Sequence, residues 1–157
     1  VDILINAAGI STSNVLPRTS AEHISATLKT NLEGAIYTSR AMLKACMRAR
    51  SRAKSKNNHT ETEHISKCII NISSLLALKG VTGTVTYAAS KAGLLGLTRS
   101  MAVEAADILK GGNVILRCNA ILPGYIETPM IQGSFSQYLY SFPEARMGRS
   151  DCCFADV

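Results

Sequence analysis

The sequence predicts an α/β fold on a parallel sheet, and three observations carry that prediction. Apolar runs at residues 2–6, 68–72 and 114–120 each end at or near a turn signal, and they read as buried strands. Two long stretches with apolar residues at helical spacing separate them. Strand, helix, strand, helix, strand in that order implies right-handed crossovers. In such a sheet ligands bind at the carboxyl ends of the strands. Here those ends are residues 6–9, 73–74 and 123–124.

The first run, Asp2 to Asn6, leads into Ala7-Ala8-Gly9, a Gly-containing strand exit. Thr19-Ser20-Ala21-Glu22 has the spacing of a helix capping box. Ile24, Leu28, Leu32, Ile36, Leu43 and Met47 then place one helix, or two abutting helices, over residues 20–49. Residues 48–67 are polar and aperiodic, and read as a basic surface-loop insertion. It joins a helix end to a strand start, on the side away from the strand exits. Beyond the second strand lies a loop with Gly80 and Gly83. A helix follows from Tyr87 to about residue 105. Leu94, Leu95, Leu97, Met101 and Val103 make it apolar on several sides, which predicts burial against the sheet and against a partner subunit. Val114 opens the third strand, and Pro123-Gly124 breaks the chain after it.

Composition narrows the class. At 157 residues, 46% hydrophobic and 18% charged, the chain reads as one globular domain over residues 1–157. The net charge is +6, and Arg48, Arg50, Arg52, Lys54 and Lys56 supply all but +1 of it. The basicity is one local patch, read as a solvated insertion over the alternative of a docking site for an acidic partner, and no nucleic-acid partner is expected. No apolar run approaches the roughly 20 residues of a membrane-spanning helix. The cysteines are Cys46, Cys68, Cys118, Cys152 and Cys153; no metal-ligand spacing appears, and the histidines do not pair with them. A reducing compartment, cytoplasmic or mitochondrial, is expected. The chain opens at Val1 already inside a strand-like run, so it is expected to be a fragment that begins within a folded domain.

The chemistry-bearing residues cluster at the strand exits. Tyr87 and Lys91 are four apart, so on a helix they share one face with Cβ atoms about 5–6 Å apart. An ammonium about 4 Å from a phenol, at an effective dielectric near 20, favours the phenolate by up to roughly 4 kcal/mol, or about 3 pKa units. That brings a tyrosine toward the range of efficient proton transfer. Ser74, thirteen residues before Tyr87, adds a hydroxyl for a carbonyl oxygen.

Four motifs in order resemble the short-chain dehydrogenase/reductase family. They are Asn6-Ala7-Ala8-Gly9; Asn31 in Thr30-Asn31-Leu32-Glu33-Gly34; Asn71-Ile72-Ser73-Ser74 with Tyr87-Ala88-Ala89-Ser90-Lys91; and the run from Pro123 and Gly124 through Ile126 to Thr128 and Met130. The resemblance covers nearly the whole chain and weakens after Arg149. It implies a Rossmann-type doubly wound parallel sheet, of which the second half is present, and hydride transfer between a nicotinamide cofactor and a carbonyl or alcohol. It casts Tyr87 as general acid, Lys91 as its activator and a ribose ligand, Ser74 as holder of the substrate oxygen, and Asn31 as part of a water relay to Lys91. Asn6, Ala7, Ala8 and Gly9 would line the adenosine half of the cofactor, Tyr87 and Lys91 would also touch it, and Pro123, Gly124, Ile126 and Thr128 would surround the nicotinamide amide.

The same resemblance is strongest toward 3-oxoacyl-[acyl-carrier-protein] reductases and related carbonyl reductases, so NADP(H) is expected over NAD(H). The substrate would be a small carbonyl compound, possibly one carried on acyl carrier protein, and the complete protein a dimer or tetramer. Another alcohol, steroid or sugar dehydrogenase of the family is the alternative within the enzymes; an inactive fragment is the alternative outside them. The pattern departs at Ala7, where Asn is commoner, at Ala77, where Gly is, and at Cys118, where Val is usual. It also lacks a Gly-rich phosphate turn, so weak cofactor binding by these residues alone is expected, and no closing strand is legible after Gly148.

Overall fold

The computed structural model describes residues 1–55 and 64–124, and the short strand at 153–155. The elements are β1 (Ile3–Asn6), α1 (Ala21–Leu28), a π turn (Lys29–Glu33), α2 (Gly34–Ser55), β2 (Ile65–Ile72), α3 (Val85–Leu109), β3 (Val114–Leu122) and β4 (Cys153–Ala155). The sheet order is β1-β2-β3-β4. The first three strands are parallel, with Ile3 opposite Cys68 and Cys68 opposite Arg117. The α/β class and the parallel core are as the sequence predicts.

Both crossovers step the same way across the sheet. Helices joined with one hand in one direction must fall on one face. Accordingly α2 and α3 share a single core: Met42, Leu43 and Cys46 from α2, Met101, Ala105 and Leu109 from α3, with Ile69, Val114, Leu116 and Cys118 beneath. On the other face Ile3, Ile5 and Ile115 are 61%, 58% and 50% exposed. The described residues thus form one wing of a doubly wound sheet.

Several expectations need correcting. The cap of α1 is Ser20, whose Oγ accepts from the His23 N–H at 3.2 Å. Thr19 instead donates its hydroxyl to Val15 O. Residues 48–67 are only partly loop. Helix α2 continues to Ser55, because Arg, Ala, Ser and Lys in that stretch include no helix breaker. Strand β2 begins at Ile65, since Ile65, Ser66 and Lys67 find partners in Val114, Ile115 and Leu116. Nor is the basic run wholly solvated. The Arg50 guanidinium donates to Ile108 O and, at 2.9 Å, to Lys110 O, covering bare carbonyls at the end of α3. Lys67 pairs with Asp2 at 2.8 Å across β1 and β2. A short fourth strand, not legible in the sequence, also joins the sheet. β4 runs antiparallel along β3, with Ala120 opposite Ala155 and Leu122 opposite Cys153, because β3 extends two residues beyond the apolar run read from the sequence.

Candidate active site

The site forms where β1 and β2 end and α3 begins. Ser74 stands one residue beyond the backbone bond from Ser73 N–H to Ile121 O, 2.8 Å long, and the next amide, Leu75 N–H, donates to Pro123 O at 3.0 Å. Strand ends β2 and β3 are therefore fastened side by side. Ser74 is extended (φ −163°, ψ 154°), and its Oγ accepts from Leu76 N–H at 3.2 Å to cap the short turn at Leu75–Ala77. That bond uses a lone pair and leaves the hydroxyl proton for another acceptor.

The opening turns of α3 carry the half-buried Tyr87, the buried Ser90 and the buried Lys91. The Lys91 Nζ lies 5.6 Å from the centroid of the Tyr87 ring, the i, i+4 juxtaposition the sequence requires. Nζ also donates to Ile72 O at 2.8 Å. Burial lowers the Lys91 pKa below its ordinary value, since desolvation disfavours the ammonium. Just upstream in space, Gly9 faces this group. A Cβ there would stand 3.4 Å from Nζ and 3.7 Å from Asn31 Oδ1, so the missing side chain keeps the approach to the ammonium open.

Asn31 sits in the π turn, a widened turn that often marks function. Its side chain clamps the loop after β1. Oδ1 accepts from Ile10 N–H at 2.8 Å, while Nδ2 donates to Ile10 O at 2.9 Å and to Ser90 Oγ at 3.0 Å. Ser90 Oγ donates in turn to Tyr87 O at 2.7 Å. A chain of hydrogen bonds thus runs from the β1 loop through Asn31 to the backbone of Tyr87. Both Nδ2 protons are used, so a water relay would have to meet Oδ1 or backbone.

Of the remaining sequence-predicted residues, Ala7 and Ala8 are exposed beside Gly9. Asn6 points its side chain inward. It donates to Asn71 Oδ1 at 2.8 Å and accepts from Thr38 Oγ1 at 2.7 Å, and Asn71 donates on to Thr98 Oγ1 at 2.9 Å. That polar string ties β1, β2, α2 and α3 together beneath the site. Pro123 and Gly124 lie next to the Ser74 turn, with Gly124 open to solvent. Ile126, Thr128 and the segment 127–148 lie outside the described residues. Sequence reasoning gave no role to Ser90, Ser73 or the Ile72 carbonyl. The first two sit inside the motifs, but only folding shows what their hydroxyls touch.

Cys46, Cys68 and Cys118 are buried free thiols, and burial, with the neighbouring thiols of Cys68 and Cys46, pushes Cys118 up to about 11. They behave as small hydrophobes at neutral pH. Among the described residues no cluster of three metal-type side chains occurs, and no helix is long and apolar enough to cross a membrane.

The model of the family described as short chain dehydrogenase matches residues 1–139. The chain belongs to that family. Among its relatives, a 3-oxoacyl-[acyl-carrier-protein] reductase of Bos taurus is 34% identical over 149 residues, 94% of this chain and 54% of the relative. One from Vibrio cholerae is 35% identical over 152 residues, again 94% and 54%. The human reductase is 33% identical over 151 residues, 96% and 55%. The chain thus spans about half the length of the curated relatives it matches. The fold matches the crystal structure of a gluconate 5-dehydrogenase from Burkholderia cenocepacia in complex with NADP and tartrate, with a TM-score of 0.70 and 23% identity over 90% of this chain and 48% of that one.

Proposed function

We propose that the protein is an NADP(H)-dependent short-chain reductase that converts a 3-oxoacyl thioester to its hydroxyl, with Ser74, Tyr87, Lys91 and Asn31 as the working set. One observation carries the reading: Lys91 Nζ stands over the Tyr87 ring, with the turn of Ser74 built onto the same strand end that accepts from Nζ. A buried cation beside a phenol suits proton transfer, and perturbed groups of this kind gather at functional sites.

A nicotinamide cofactor suits the residues present. One of the three Lys91 ammonium donors is used among the described residues, and the Gly9 side is open. When bound, the cofactor supplies the hydride. Ser74 donates its free proton to the carbonyl oxygen and holds it in place. Tyr87 passes its proton to that oxygen as negative charge builds there. Lys91 stabilises the resulting phenolate and holds the ribose. Asn31 keeps the loop carrying Ala7, Ala8 and Gly9 against Lys91 and leads a water toward it. By the family resemblance, Ile126 and Thr128 would serve the nicotinamide together with Pro123 and Gly124.

The thioester assignment rests on the relatives named above, all of them 3-oxoacyl-[acyl-carrier-protein] reductases. Exposed apolar residues on α2 and α3, among them Tyr37, Met47, Val85 and Val103, suit a dimer or tetramer. Following the oxidation of NADPH, and separately of NADH, by an acetoacetyl thioester on the complete protein tests the reading. Turnover with the thioester, faster with NADPH, supports it. Turnover confined to sugars or steroids would replace the substrate class.

A further inference from the structure

We propose that Ser73 is a positioning residue that holds Lys91 in place against Tyr87 and Ser74, and thereby sets the acidity of Tyr87; this rests on the reductase reading above. Ser73 precedes Ser74 directly and is 3% exposed. Its N–H donates to Ile121 O at 2.8 Å, which fixes it to β3. Its hydroxyl donates to the Lys91 backbone carbonyl, also at 2.8 Å. The carbonyl one residue earlier, on Ile72, accepts from Lys91 Nζ at 2.8 Å. Two consecutive residues at one strand end therefore hold the same lysine by its main chain and by its tip.

The two links serve different purposes. A helix carbonyl already accepts from the amide four residues on, so the hydroxyl bond uses its second lone pair and is additional to the helix. Strand β2 does not need the hydroxyl either, because the backbone N–H of Ser73 makes the sheet bond. The Nζ link draws on the ammonium that also serves the phenol and a ribose, as one of its three donors. The Ser73 link does not, and it keeps α3 registered on the strand end while Lys91 works. Ser74 is the next residue, so one short segment fixes the oxygen-holding serine and the acid–base helix relative to each other.

Among the described residues, Lys91 is the charged group set against the Tyr87 ring, and Lys79 follows the Ser74 turn in the chain. Residues 6–14 and 71–78 hold no charged side chain, the groups at Asn31 and Ser90 are neutral, and Glu33 of the π turn is taken by Tyr37 at 2.6 Å. Loosening Lys91 raises the pH at which Tyr87 loses its proton.

The test compares Ser73→Ala and Ser73→Thr in the purified protein. The measurements are kcat, KM, the pH profile of kcat, and the ultraviolet titration of Tyr87 isolated by subtracting Tyr87→Phe. A small misplacement of acid–base groups costs on the order of tenfold or more, so Ser73→Ala should lower kcat about tenfold with KM changed less than about twofold. Its Tyr87 titration and the matching limb of the pH profile should move to higher pH, and Ser73→Thr should restore both. A Ser73→Ala protein whose Tyr87 titration stays in place overturns the proposal, whatever its stability. If the parent shows no turnover but its Tyr87 titration still moves with Ser73→Ala and returns with Ser73→Thr, the positioning role stands and the reductase reading falls.

Discussion

Replacing Asn31 with Ala should cost about 2 kcal/mol of stability, and the reasoning behind that figure can be refuted. The side chain is 1% exposed and makes three hydrogen bonds, two with Ile10 and one with Ser90. A hydrogen bond contributes roughly 1 kcal/mol net, which sets an upper figure of about 3 kcal/mol. Ile10 is 38% exposed, so water can replace the amide at its N–H and C=O and recover part of the loss. Ser90 is sealed from solvent, but its hydroxyl keeps its bond to Tyr87 O and loses only an incoming donor. Urea unfolding of the parent and the variant measures the difference, read from the midpoint with an unchanged m-value. Hydrogen exchange at the Ile10 amide should accelerate at the same time. A variant within about 0.5 kcal/mol of the parent, the usual range of an inconsequential surface change, would show that the clamp does not hold the loop after β1.

Other consequences follow from the same contacts. Arg50→Ala removes two charge-assisted bonds to the end of α3 and should cost about 2 kcal/mol in urea unfolding, with Arg50→Lys recovering part of it because a single ammonium cannot span both carbonyls. No loss in Arg50→Ala would return that residue to the solvated class. Gly93→Ala would put a Cβ 2.7 Å from Leu32 Cδ2, where α3 crosses the π turn; thermal melting should show an overpacking cost of about 1 kcal/mol, the low end because a leucine methyl can turn away. An unchanged melt would mean that Leu32 moves freely. Burial lowers the Lys91 pKa below 10.5, so above the folded value the unfolded chain binds more protons. Stability contributed by this group should therefore rise with pH from the folded value up to the unfolded one, and Lys91→Met should lack that rise. Parallel curves for parent and variant would contradict it.

The sequence shows the sheet because its strands are short apolar runs with turn signals behind them. It shows the Tyr87–Lys91 pair because helical spacing alone puts those residues on one face. What it hides are contacts made between elements. Lys91 finds the carbonyl of Ile72, and a backbone acceptor has no residue signature. Asn31 holds a main-chain loop from a π turn, and one extra residue per turn is invisible to a 3.6-residue period. Arg50 looks like one member of a charge run until its reach to Ile108 and Lys110 is known. Asn6 lies inside the cofactor motif, yet its side chain points into the polar string beneath. β4 pairs through backbone along the extended end of β3, where its three residues carry no alternating pattern to announce it.

Hydride transfer governed by Tyr87 is the central claim, and isotope transfer tests it most directly. NADPH deuterated at the transferable position would be incubated with an acetoacetyl thioester and the purified complete protein, and the product weighed by mass spectrometry. Deuterium should appear on the new carbinol carbon with the parent. With Tyr87→Phe that incorporation should fall by about a hundredfold or more, the range of a lost general acid, while NADPH binding is kept. Equal incorporation by parent and Tyr87→Phe would contradict the account.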